Sequence, residues 1–112
     1  MKTSANIKIS NELFENYLTS LVDQFFKILP LKESGEPSLN EYIRSLQLEM
    51  LGCRQLIIAL QNDAMYLRLI CILQYLLDND CEVQVVKREV FKAISTCKKL
   101  RDRYFTDGGA VK

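Results

Sequence analysis

The sequence contains no histidine. That removes the side chain that most often serves as a general acid or base near neutral pH, and the commonest metal ligand. Four cysteines are present, but Cys53, Cys71, Cys81 and Cys97 lack the close pairing of a zinc site. Cys-x-x-Cys and Cys/His metal centres are thereby excluded, and no metal or cofactor is expected. Glycine is scarce, with only Gly35 and Gly52 inside the expected folded span, so no glycine-rich loop can cradle a phosphate. Net charge is only +1. The chain as a whole therefore has no long-range field to draw in nucleic acid or an anionic membrane, and any electrostatic function must be local.

Long apolar runs are also missing. The greasiest stretch, YLRLICILQYLL at residues 66–77, follows Asp63 closely and ends at DND, residues 78–80. As a helix it spans about 18 Å against a hydrocarbon core of about 30 Å, so it is expected to be buried in protein rather than in a membrane. The opening MKTSANIKIS has no apolar signal region, from which a cytoplasmic location is expected. In that compartment the cysteines should be reduced thiols, most of them acting as small buried hydrophobes.

What is present is an ordinary globular composition, 48% hydrophobic and 26% charged over 112 residues. One domain spanning 1–112 is expected. Hydrophobic periodicity predicts four helices, at about 11–29, 39–62, 64–77 and 83–105. The first, capped by Ser10 or Asn11 and ended by Pro30, turns Phe14, Tyr17, Leu18, Leu21, Val22, Phe25, Ile28 and Leu29 inward. PLKESGEP is a loop, and the SLNE that follows reads as a capping box between Ser38 and Glu41. The second helix has a main stripe of Leu39, Tyr42, Ile43, Leu46, Met50, Cys53, Ile57 and Leu60, and a second stripe of Leu48, Leu51 and Ile58. Gly52 interrupts it, either as a tolerated small residue or as a point where another helix comes close. The third helix has a broad core arc and a mixed face of Leu67, Arg68, Cys71, Gln74 and Tyr75. DNDCE opens like a calcium loop, yet the downstream glycine and glutamate are not at the required spacing. It reads instead as a turn, with Asp80 capping a last helix whose inner stripe is Val83, Val86, Val90, Ala93, Ile94, Cys97, Leu100 and Tyr104. Short connections favour antiparallel neighbours, hence an all-α, up-and-down antiparallel four-helix bundle with a short N-terminal arm and a frayed C-terminal tail.

Two surfaces carry the candidate function. Along the last helix Arg88, Lys92, Lys99 and Arg103 stand four, seven and four residues apart on one outer face, with Ser95 between them and Phe91 nearby. Such a row could track phosphates of a nucleic acid or hold an anionic ligand; solvation alone also asks for a charged outer face. The second surface is apolar excess, in Leu48, Leu51 and Ile58 with Leu67, Arg68, Cys71, Gln74 and Tyr75 of the third helix. In a small monomer it would stay wet unless the proline loop and N-terminal arm cover it, which predicts a homo-oligomer, most simply a twofold dimer. Catalysis has little support, since Glu41, Glu49 and Glu89 lie at the edge of the apolar stripes or outside them. Cys71, near Arg68, has no base partner. The expectation is a non-enzymatic helical interaction or adaptor protein that forms homo-oligomers and contacts a protein partner. The alternatives are a nucleic-acid-binding accessory protein and an oligomeric binder of an anionic small ligand.

Overall fold

A computed structural model describes residues 11–105; the NIKIS arm, the Ser10 cap and the C-terminal tail lie outside the described residues. The fold is all-α, with no strand among the described residues. It comprises α1 (Asn11–Phe26), α2 (Ile28–Glu33), α3 (Leu39–Leu56), α4 (Ile58–Gln61), α5 (Ala64–Asp78) and α6 (Val83–Phe105). The expected four helices thus become six segments, because the first two are each broken once.

Both breaks have local causes. Pro30 does not end the first helix. It sits in the first turn of α2, where a missing N–H costs little. Its ring would crowd the carbonyl four residues back, that of Phe26, and the chain turns at Lys27 immediately after it. The second break falls at Ile57, which is extended at φ −107°, ψ 110°. Ile57 and Ile58 form a β-branched pair, the poorest combination for a helix interior in that segment. Ile57 and Leu60 still enter the core, whereas Ile58 is turned out.

Two expected caps are replaced. Ser38 is nearly helical at φ −90°, ψ 11°, so its hydroxyl is not aimed at the first-turn N–H groups and no capping box forms. Its Oγ donates instead to Glu36 Oε2 at 3.2 Å. Asp80 lies too early to cap α6; the first intrahelical bond of that helix goes from the Val86 N–H to the carbonyl of Glu82. The Asp80 carboxylate faces Lys32 Nζ at 4.0 Å.

The greasy stretch is housed in α5, which lies between α3 and α6. Tyr66, Leu69, Ile70, Ile72, Leu73 and Leu76 are buried, as the periodicity predicts. Residue pairing shows α3 and α5 antiparallel, since Gln47 reaches Gln74 at 2.9 Å while Met50 meets Tyr66. α1 packs along α6 with the opposite ends adjoining, where the rings of Phe14 and Tyr104 lie 5.2 Å apart. On the inner stripe of α6 only Val83, in its first turn, is left exposed.

Within the apolar core runs one polar chain. The Tyr17 hydroxyl donates to that of Tyr66 at 2.8 Å, and Tyr66 donates to the Met50 carbonyl at 2.7 Å. Each buried phenol thus brings its own partner, joining α1, α5 and α3. Tyr66→Phe should cost about 1–3 kcal/mol in urea unfolding, because it removes the link from α1 through α5 to the Met50 carbonyl and takes from the Tyr17 hydroxyl its Tyr66 acceptor. Tyr17→Phe should cost less, since Tyr66 keeps Met50; equal losses would contradict this direction of donation.

Candidate binding surfaces

The first surface is a groove between α5 and α6. On α5, Arg68, Cys71, Ile72 and Tyr75 share one side at helical spacing. Across from them α6 presents Arg88, Glu89 and Lys92, and these seven residues line a volume of about 490 Å³. Ile72 is the buried apolar floor, while the two arginines, Lys92, Cys71 and Tyr75 reach solvent. Glu89, expected at the edge of the stripe, is only 6% exposed. Its Oε2 takes Arg88 Nε at 3.2 Å and Lys92 Nζ at 3.3 Å. A carboxylate this dry needs such partners. The sequence assigns Arg68, Cys71 and Tyr75 to one surface and Arg88 and Lys92 to another; the fold brings all five together.

The remaining candidates divide. Gln74 faces α3 rather than the groove, accepting from Gln47 at 2.9 Å and donating to Asp78 at 2.9 Å. Leu67 is half-buried against the core. Farther along α6, Ser95, Lys99 and Phe91 are exposed. Arg103 instead pairs with Asp63 Oδ2 at 3.4 Å.

Asp63 is the residue that sequence reasoning missed. It is 4% exposed and N-caps α5, its Oδ1 accepting from the N–H groups of Met65 at 2.9 Å and Tyr66 at 3.1 Å. The Tyr104 hydroxyl lies 2.8 Å from Oδ2 and 3.0 Å from the Ala59 carbonyl, and shares its proton between them. Burial, then the hydrogen bond to Asp63, pushes the Tyr104 phenol up to about 12. The cap signal was readable, an aspartate directly before an apolar helical run; the partners, about forty residues away, were not.

The second surface lies on α3 and α4. Leu48, Leu56 and Ile58 are 61%, 45% and 54% exposed, and Leu51 is exposed beside them. Leu48, Leu51, Gly52 and Leu56 recur at three- and four-residue spacing and so share one outward face. A Cβ on Gly52 would meet nothing within 4 Å, so no helix of the described chain approaches it. The proline loop leaves this face open, and the N-terminal arm lies outside the described residues.

Cys71 is exposed, Cys53 half-buried, and Cys81 and Cys97 buried, all as free thiols. Among the described residues no three potential metal-ligating side chains cluster, and no helix is long and apolar enough to cross a membrane. The chain matches no protein-family model, no curated protein and no solved structure.

Proposed function

We propose that the chain is a non-catalytic helical interaction protein of the cytoplasm that pairs with a second copy of itself through the outer face of α3 and α4. The four long helices are read as an up-and-down antiparallel bundle, with α2 and α4 as short segments between them. The observation that carries the reading is the run of exposed Leu48, Leu51, Leu56 and Ile58 around an open Gly52. Contiguous exposed apolar side chains mark contact sites, and a twofold axis lets the same face serve both partners. Gly52 lets a second α3 cross close to the backbone. The mixed face of α5 contributes less than the sequence suggests, because Gln74 and Leu67 are engaged within the chain.

The test is light scattering after size exclusion, at low and high salt. The expected result is a dimer whose mass does not respond to salt. Leu48→Glu or Ile58→Glu should weaken it at least ~100-fold, since each places a charge in an apolar contact twice per dimer. Both side chains are more than half exposed, so circular dichroism should find the fold unchanged. A monomeric parent protein, or a dimer that survives both substitutions, would remove this face from consideration.

A further inference from the structure

We propose that the groove between α5 and α6 is a binding site for a phosphate ester attached to a planar ring, the chemistry of a nucleotide. Charge is the first argument. Arg68, Arg88 and Lys92 converge on a groove whose only lining acid is Glu89. From Val83 to Arg101, α6 carries six cationic side chains and no acid other than this buried one, so its outer surface has no competing anion.

Donor accounting is the second argument. Glu89 engages Arg88 through Nε, so the contact does not use the two terminal guanidinium nitrogens, which are the fork suited to phosphate, and the side chain is largely exposed. Lys92 is held by an ion pair to the same carboxylate at 3.3 Å, while its side chain stays half exposed. Arg68, on the opposite wall, is in none of the ion pairs found among the described residues. The buried carboxylate thus holds two cations in place and leaves donors free, while the third cation stands ready across the groove. Fixing a donor before binding lowers the entropy that binding must spend.

Shape and apolar lining supply the ring site. The groove is open to solvent and offers about 490 Å³, room for a ring laid along its wall rather than enclosed by it. Tyr75 is 42% exposed beside the buried Ile72, offering an aromatic face next to the cations. Base-on-aromatic stacking is tolerant of the base, so the pocket specifies a phosphate and a flat ring rather than one nucleobase. The ligand could be a free mononucleotide or one unit of a single strand, and Lys99 with Ser95 continues the row beyond the groove in the direction a strand would follow.

The experiment is a nitrogen–proton NMR titration of the full chain with inorganic phosphate, adenosine monophosphate and a ten-residue oligothymidylate. Saturable shifts confined to residues 68–75 and 88–92, with the mononucleotide tighter than phosphate, are the expected result. Arg68→Gln and Lys92→Gln should each weaken binding about tenfold, the loss of one charge-assisted hydrogen bond, with the rest of the spectrum unchanged. Lys99→Gln discriminates the sources: it should weaken the oligonucleotide and leave the mononucleotide unaffected. Absence of saturable shifts with all three probes would overturn the proposal, as would shifts centred elsewhere or indifference to Arg68→Gln. The Leu48→Glu variant should bind as the parent does, which separates this site from self-association.

Discussion

Asp63→Ala should lower the free energy of unfolding by about 2–4 kcal/mol, the largest single-residue effect expected outside the apolar core. One carboxylate does three things here. Its Oδ1 satisfies two N–H groups at the start of α5, while Oδ2 takes the Tyr104 hydroxyl and lies 3.4 Å from an Arg103 nitrogen. The cap contributes about 1 kcal/mol, and the loss of the part-buried hydrogen bond to Tyr104 together with the second buried N–H left unpaired a further 1–3 kcal/mol. The ion pair contributes little by itself, since the Arg103 side chain is half in solvent. For a domain of this size the loss corresponds to a fall in Tm of roughly 10–20 °C. Asp63→Asn, which keeps a capping oxygen and loses the charge, should give less than half of that, and Arg103→Gln less than about 1 kcal/mol. Thermal unfolding of the three variants checks the order. If Asp63→Asn proves as damaging as Asp63→Ala, the charge and not the cap dominates.

The same residue marks where sequence reading reaches its limit. Helical stripes are local, so one chain suffices to place Phe14, Leu18, Leu21 and Phe25 on the inside of α1 and Glu12, Glu15 and Asp23 outside; each is found so. The breaks were less legible, because Pro30 acts on the carbonyl of Phe26 rather than on its own position. Ile57 has a strong claim on the core whether or not the helix continues through it. Ser38 has a cap sequence without cap geometry, since only the backbone dihedrals decide where its hydroxyl points. The grooved site was half legible. Each of its walls is visible in the sequence, α5 as a mixed face and α6 as a basic row, but their meeting depends on which helices are neighbours. Glu89 shows the cost of that gap. Its position beside Val86, Val90 and Ala93 and its spacing from Lys92 were both visible, yet burial became evident only with α5 in place.

Raising the pH should unfold the protein sharply, with a plateau of stability up to about pH 9 and loss of helix at about pH 11. Burial pushes the Cys97 thiol from 9.0 up to about 12, and burial with Asp63 raises Tyr104 from 10.0 to about 12. Tyr66 is raised by burial, Tyr17 by burial and its neighbour Tyr66, and Tyr42 by burial and Glu49. All five shifts have the same sign, so the folded state holds protons that the unfolded chain releases. Stability from these groups is complete below their unfolded values of 9.0 and 10.0 and drains away as the pH climbs through the folded ones. Each deeply buried group that has ionised in the unfolded chain but not in the folded one steepens the fall by up to about 1.4 kcal/mol per pH unit, and the partly solvated Tyr42 and Tyr104 contribute less because solvent screens them. Against a total stability of about 5–15 kcal/mol for a domain, a few such groups exhaust it within two units. The chain from Tyr17 through Tyr66 to the Met50 carbonyl makes the transition cooperative. A phenolate at Tyr66 has no proton to give that carbonyl, and its side chain is fully buried. Tyrosinate absorbance at 295 nm should therefore rise together with the loss of ellipticity at 222 nm, and Cys97→Ala should move the onset to higher pH. Tyrosinate forming in full near pH 10 while the helices persist would mean that these phenols are open to solvent and that the polar chain does not hold α1, α3 and α5 together.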